Sequence, residues 1–535
     1  MRRALALMAA VCLLLCGWLC GCGDDGTGGG FRFPLDAEPN GLDPQTATDT
    51  AAVTVIATIF EGLTAINGDG AVVDGAATHT VSEDGKTYTF TLKHSYWSTL
   101  KIKGEDNPWA DPIRVTADDF LFAIQRGVDP ATKSPLAAEY DTIQNAAAIR
   151  QGKKPLSELG VKAVDDRTLV ITLEKADPTF LTRLAGTPFM PCHRAFFEST
   201  QGRYGLEKEY VLSNGAFWLA AWNHNESILL YKNERYHEAV APEAVRYVIG
   251  VSDPAAALQN GELDAAPTAA PLGDGITAYP LKDSQRSLYF NTTASPFTVP
   301  AIRTALRDSV EWEAVHRLLT EQGDTEVMAG GFVPPDGTVG GETYRTEQNT
   351  LTTLQSNVTA AKAALQSGLD TLQMSNLPKF ELLAAEDTLS ANIARYLVQS
   401  WQKNLNVYPT LTLLPEAELN KRVNSGNYQA AICIRTATGL SGAENLACYA
   451  TGAAGNLSHL SNAAVDTAIQ KALSGGRTEL EALEKQLWQL CPAVPIGAVT
   501  RYYSVADGVK WVFPLPFGGG RWNAPLHFRD ALKFD

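Results

Sequence analysis

Positive charge is scarce in this chain of 535 residues, where 44 lysines and arginines stand against 59 aspartates and glutamates, a formal charge of −15 at pH 7. That balance argues against nucleic acid or an anionic membrane surface as partner, and plain solubility is enough to explain it. The eight histidines are scattered. No pair among the body cysteines Cys192, Cys433, Cys448 and Cys491 makes a CxxC, so the clustered ligands of a structural zinc site are missing. Also missing are HExxH, a GxSxG elbow and a GxxxxGK[ST] phosphate loop, which removes the local signatures of metalloproteases, serine hydrolases and nucleotide hydrolases. The expectation is no metal, no cofactor, no catalytic residue and no enzyme activity. After the N-terminal run, no stretch is apolar enough to cross a bilayer.

That N-terminal run has its own logic. Met1-Arg2-Arg3 is a positive start, and Ala4 to Leu15 is a short apolar core of signal-peptide type, which predicts export. Losing Arg2 and Arg3 with the signal takes the formal charge to −17. The segment "LCGC", Leu19 to Cys22, resembles the lipobox of bacterial lipoproteins, which implies cleavage after Gly21 and thioether lipidation of Cys22. The competing reading is an uncleaved anchor, since Ala4 to Gly21 carries no charge and approaches the ~20 apolar residues of a membrane span. Either way the rest of the chain lies outside the membrane. Residues 22–30 then read as a flexible tether, because Gly23 to Gly30 has no apolar side chain to bury.

The remainder has the material for large cores, with 45% apolar and 19% charged residues, and its length suggests about three or four domains. Outside the cell the four body cysteines admit one or two disulfides, with Cys433 and Cys448 the nearer pair, or four buried thiols; spacing leaves both open.

Alternation and helical spacing mark the elements. In "VSEDGKTYTFTLK", Val81 to Lys93, Asp84-Gly85 makes a tight turn and Tyr88, Phe90 and Leu92 share one face, predicting a hairpin. "VTADDFLFAIQR" follows, with Thr116 as cap, Asp119 completing a capping box and Val115 stapled onto Phe120. Capping explains Asp118 and Asp119 better than a catalytic carboxylate pair does. "VKAVDDRTLVITL" predicts a second hairpin turning at Asp165-Asp166. Later, Ile393, Leu397, Trp401 and Leu405 recur at helical spacing before a strand-like Val407 to Leu414. A helix near Glu416 to Val423 leads to the strand-like Tyr428 to Ile434, and Leu480, Leu483, Leu487 and Leu490 stripe one more helix. Helices alternating with strands predict a parallel-type α/β layer.

The order of these pieces resembles the extracytoplasmic solute-binding proteins of oligopeptide and dipeptide ABC importers, family 5. The resembling segments include "NGLDP" at Asn40 to Pro44, "TIFEGL" at Thr58 to Leu63, the two hairpins and the helix between them, "LSNGAFWLAAW" from Leu212, "LLYKNERYHEA" from Leu229 and "GELD" at Gly261 to Asp264. In the second half "LYFNTTASPF" from Leu288, "AIRTAL" from Ala301 and "FVPPDG" from Phe332 continue it more thinly.

The resemblance implies an α/β bilobal clamshell of the periplasmic-binding-protein type with an inserted small α+β domain. The expected division is signal 1–21, tether 22–30, lobe I over 31–73, 206–283 and 495–535, the inserted domain over 74–205, and lobe II over 284–494, with chain crossings near 283 and 495 as hinge. It also implies a monomer that holds a peptide or other small solute between the lobes, delivers it to ABC permease subunits in the membrane, and stays on the cell surface or periplasmic side through its lipid anchor. Carried over by position, the solute-facing residues are Glu61, Asn214, Gly215, Phe217, Tyr289 and Asn291, with the facing loop "IRTATG" supplying Arg435, Thr436 and Thr438. Strand packing is the plain alternative for Phe217 and Tyr289, and a helix-end or hinge role for Glu61.

Two departures stand out. Oligopeptide binders of this kind carry an Asp-Tyr pair in the last loop, where the aspartate meets the peptide ammonium; here Thr438 and Gly439 fall there, and no acidic residue lies between Tyr428 and Gly442. An unpaired buried ammonium is costly, so either Glu444 or Glu61 substitutes, or the solute lacks that group. Arg435 suits a carboxylate or phosphate, if it is not simply a surface arginine. The second departure is an insertion over Thr99 to Arg114. The alternatives kept open are a binder of a non-peptide solute and a peptide-signal sensor without transport.

Overall fold

The computed structural model describes residues 30–66, 72–98, 111–177, 179–240, 242–321, 326–340, 342–346, 354–437, 441–453 and 455–509. The signal segment, Cys22, Thr438 and most of the 99–114 insertion lie outside the described residues. Gly30, assigned to the tether from composition, already belongs to the first strand, Gly30–Leu35, because its backbone pairs in parallel with Ala244.

The first lobe is a four-stranded sheet in the order Gly30–Leu35, Ala244–Ile249, Ser227–Lys232, Phe217–Asn223. Alternation along these strands sends Phe31, Phe33, Phe217, Leu219 and Tyr247 inward. A second four-stranded sheet contains both expected hairpins, Ala77–Val81 with Thr87–Leu92 and Val161–Asp165 with Thr168–Thr172. Tyr88, Phe90 and Leu92 face its core as their spacing requires. The helix Ala117–Val128 covers it. Asp119 is buried and accepts the Thr116 N–H at 2.8 Å and the Trp97 indole N–H at 3.2 Å, whereas Asp118 is exposed, so the two carboxylates do not work as a pair.

One continuous apolar cluster runs from Phe31 and Phe33 through to Phe90, Phe120 and Leu169, so the small domain and the first lobe share a core. Two motifs weld them. Arg126, at the end of "VTADDFLFAIQR", donates to Asp43 of "NGLDP" at 2.7 Å and to Gln45 at 2.6 Å, and its guanidinium lies 4.0 Å over the Phe197 ring.

The second lobe is built on a mixed sheet in the order Ala265–Thr268, Ala493–Ala506, Ile276–Phe290, Ala430–Thr436, Glu381–Ala385, Thr410–Leu414, with Glu326–Met328 added beside Ala493–Ala506. The helix-alternating part is parallel, as its pattern predicts, while the two long strands join it antiparallel. Thr388–Leu405 buries Ile393, Leu397, Trp401 and Leu405, capped by Asp387 on the Ser390 N–H. The strand after it starts at Thr410, later than its sequence pattern suggested. Leu288 and Phe290 point into one core and Tyr289 into the other, as a two-residue period demands.

The long strands Ile276–Phe290 and Ala493–Ala506 pass from one lobe to the other side by side. Leu281, Tyr503 and Val505 pack in the first lobe's core, and Leu288, Val494 and Ile496 in the second's. The four described cysteines are free, buried thiols, and burial pushes Cys192 and Cys433 up to about 12. Among the described residues no helix is long and apolar enough to cross a membrane, and no His, Cys, Asp and Glu cluster could hold a metal.

Candidate functional site

On the first lobe, the segments "FEGL" and "SNGAF" dock onto one another backbone to side chain. The Asn214 carboxamide accepts the Glu61 N–H and donates to the Glu61 carbonyl, both at 3.0 Å, imitating a strand pair. Gly215 donates to the Ile59 carbonyl at 2.8 Å, and a Cβ there would lie 2.7 Å from that carbonyl, so only glycine permits the approach. The Asn233 amide returns to the Gly215 carbonyl at 2.9 Å. Phe217, beneath this junction, is wholly buried in the core.

The Glu61 carboxylate does not stand open. Tyr236 donates to its Oε1 at 2.6 Å, and His237 Nε2 lies 2.8 Å from Oε2 and 3.0 Å from Oε1. Tyr236 and His237 belong to "RYHEA", but they lie 175 and 176 residues from Glu61, so no local signal in the sequence links them to it. A cavity of 580 Å³ also lies on this lobe, walled by Trp218, Tyr231, Lys232, Arg235 and Glu243, and none of the sequence-predicted residues lines it.

The second lobe presents a different surface. Arg435 and Thr436 end the strand Ala430–Thr436, opposite Gln285 and Ser284. The half-buried Arg435 lies among Tyr289, Tyr449 and Cys448, and one of its Nη atoms donates to the Asn445 carbonyl at 3.3 Å. No carboxylate among the described residues pairs with it. Tyr289 is buried, its hydroxyl pushed up to about 12 by burial despite the neighbouring Arg435. Asn291 sits at the other end of the same strand pair. Its amide donates to the Gly426 and Tyr428 carbonyls, both at 3.0 Å, and its backbone N–H to Gln429, six residues before Arg435, about 20 Å along a strand. The structure therefore brings Tyr289 and Arg435 together, turns Thr436 to the other face of the strand with its hydroxyl 2.9 Å from that of Ser284, and leaves Asn291 apart.

Beyond that strand, Ser441 caps the short helix Gly442–Ala447, which carries Glu444 in its first turn. The Glu444 carboxylate accepts no hydrogen bond from a described residue. Burial raises its pKa, Arg183 of the small domain works against that rise and Asp177 adds to it, so Glu444 faces the first lobe's side of the molecule. The loop "FVPPDG" is fixed by Glu484, which is buried: its Oε1 accepts the Phe332 and Val333 N–H groups at 2.7 and 3.0 Å and Arg345 at 2.5 Å, while Tyr344 donates to Oε2 at 2.9 Å. Glu484 lies on the helix Arg477–Leu490, whose leucine stripe is legible in the sequence while the acid on its buried side is not.

Two lobes joined by a pair of long strands, with Arg435 and Glu444 left without ion-pair partners on the second, give the architecture of a two-lobed α/β protein. The chain belongs to the bacterial extracellular solute-binding proteins, family 5, whose middle-region model matches residues 71–456. It is 32% identical over 398 residues to the oligopeptide-binding protein OppA of Bacillus subtilis, covering 70% of this chain and 69% of that one. It is 29% identical over 495 residues to a probable deoxycholate-binding periplasmic protein of Escherichia coli, 87% of each. The solved structure of the Escherichia coli murein tripeptide-binding protein MppA superposes with a TM-score of 0.71 at 26% identity, covering 92% of this chain and 98% of the other.

Proposed function

We propose that this protein captures short peptides between its two lobes, outside the cytoplasmic membrane, and hands them to the permease of an ABC importer while tethered through a lipid on Cys22. The observation that carries the reading is the pair of unspent opposite charges on the second lobe: a guanidinium at Arg435 with no carboxylate partner and a carboxylate at Glu444 with no donor. A peptide is a molecule with one terminal carboxylate and one terminal ammonium, and it supplies both missing partners. Arg435 then faces the carboxylate end, with Thr436 and Thr438 following it in the chain, and Glu444 takes the aspartate's place at the ammonium. Tyr289 backs Arg435, while Glu61, Asn214 and Gly215 form the opposing wall, supported from beneath by the buried Phe217. Asn291 holds the strand end instead of touching solute. Glu61, already committed to Tyr236 and His237, serves as a rigid edge.

Such a protein needs no chemistry, only a solute that contacts both lobes and so favours the closed arrangement by the difference in affinity. Main-chain hydrogen bonds to an extended peptide supply affinity without fixing the sequence.

Native mass spectrometry of protein purified without denaturation tests this. A retained series of masses matching short peptides is expected; one non-peptide mass overturns it. A second reading, a solute with a carboxylate and no ammonium, is favoured by the absence of any acid between Tyr428 and Gly442. Titration with tri-alanine, its N-acetyl form and deoxycholate separates the two: the peptide reading requires the free amine to bind tighter than the acetylated form. Loss of labelled-peptide uptake on gene deletion distinguishes an importer from a sensor, and release of Cys22→Ala protein from cells checks the tether.

A further inference from the structure

Between the two cores, the strand pair that links the lobes is broken at one place. Leu281 pairs with Arg501 and Ser284 with Val499, so Lys282 and Asp283 together oppose the single residue Thr500, a β-bulge. Both extra residues are nevertheless held, Lys282 by a loop outside the strand pair and Asp283 by a side chain of the facing strand. The Lys282 N–H donates to Asp336 Oδ2 at 2.5 Å, and the Asp336 N–H donates back to the Lys282 carbonyl at 3.3 Å. The Asp283 carboxylate accepts Arg501 Nη2 at 2.7 Å and Nε at 3.2 Å. Its carbonyl accepts the Ala437 N–H at 2.8 Å, and the Ser284 hydroxyl lies 2.9 Å from Thr436 Oγ1.

These contacts join three parts of the molecule. Asp336 closes "FVPPDG", the loop anchored in the second lobe through Glu484. Arg501 lies on the other crossing strand. Thr436 and Ala437 open the loop proposed above to face solute. A bulge is a natural place for a crossing to bend, because its extra residue is not committed to the ladder. Here that freedom is removed by two carboxylates.

We propose that Asp336 is a positioning residue for solute capture: by clasping the backbone of Lys282 it fixes the bend of the crossing strands, and with Asp283 and Arg501 it couples that bend to the solute-facing loop at Thr436–Ala437. The proposal rests on reading the chain as a two-lobed binder whose lobes move. Burial first, and Asp283 after it, raise the Asp336 pKa against the pull of the Lys282 N–H, so asparagine is a close mimic of its neutral form and keeps an acceptor oxygen.

The test compares Asp336→Ala with Asp336→Asn in purified protein without solute, by amide exchange and small-angle X-ray scattering. Asp336→Ala should speed exchange about tenfold or more at both Lys282 and Ala437 and change the scattering profile; Asp336→Asn should restore both. Unchanged scattering, faster exchange at Lys282 alone, or an Asn variant as altered as the Ala variant overturns the proposal. Should Asp336→Ala fail to fold, Arg501→Gln decides: faster exchange at Ala437 supports the coupling and none refutes it. Because no solute is present, unaltered scattering sinks this inference alone, whereas failure of peptides to bind sinks the transport reading.

Discussion

The two lobes treat their acidic groups in opposite ways. On the first, Glu61 satisfies both oxygens with Tyr236 and His237, and Asp43 is saturated by Arg126. On the second, Glu484 is equally saturated, yet neither Glu444 nor Arg435 closes an ion pair with a described residue, Arg183 acting on Glu444 without one. A buried or half-buried charge without a partner is unfavourable, and a fold tolerates it where something outside the chain completes it. The acids Glu61 and Asp43 of the first lobe are thus finished and Glu444 and Arg435 of the second are not; if solute completes them, as proposed above, specificity lies on the second lobe.

Removing a finished acid should hurt the fold most. Glu484→Ala is expected to lower the stability of the second lobe by about 3–5 kcal/mol, because it removes the buried carboxylate that Arg345, Tyr344 and the Phe332 and Val333 N–H groups share and so frees the "FVPPDG" loop; urea titration followed through Trp401 measures it, and a loss under about 1 kcal/mol would erase the contrast. Removing an unfinished charge should hurt binding while sparing the fold. For Arg435→Ala we expect a loss of about 1.5–3 kcal/mol in tri-alanine affinity, roughly 10–150-fold, with the unfolding midpoint nearly unmoved. If the midpoint falls instead, Arg435 belongs with the finished set. Glu61→Gln sharpens the first half: it keeps one acceptor oxygen and should cost about 1 kcal/mol of stability with little change in tri-alanine affinity.

The smallest effect expected is a pH dependence. Burial holds the Glu444 carboxyl above its ordinary range, so without solute it is neutral further up the pH scale than a surface glutamate. A solute ammonium favours the ionised form. Affinity for tri-alanine should therefore fall as pH drops through the raised Glu444 titration, by several-fold, and Glu444→Gln should flatten the profile. The N-acetyl peptide should show no such fall; an identical fall in both removes Glu444 from the site.

Much of this was legible in the chain. Hairpins at Val81–Lys93 and Val161–Leu173, the capped helix at Thr116 and the stripe from Ile393 to Leu405 follow from period and turn chemistry alone. The site was legible only in part, for a physical reason. Glu61 meets its partners across 175 residues, and Lys282 meets Asp336 through a bulge; such contacts depend on how sheets pack and leave no periodic trace. Even Asp43, quoted as part of "NGLDP", shows its purpose only when Arg126 arrives beside it. Asn291 illustrates the converse: carried over by position, it sits about 20 Å along the strand from Arg435, where its amide ties a turn.

The four free, buried thiols carry a practical dividend. Cysteines placed in pairs at exposed positions such as Val164 and Tyr408, in protein produced from Gly23 onward, would react with maleimide dyes against a silent background. The opening and shutting proposed above could then be followed in real time as energy transfer between two fluorophores, one on the small domain that shares the first lobe's core and one on the second lobe.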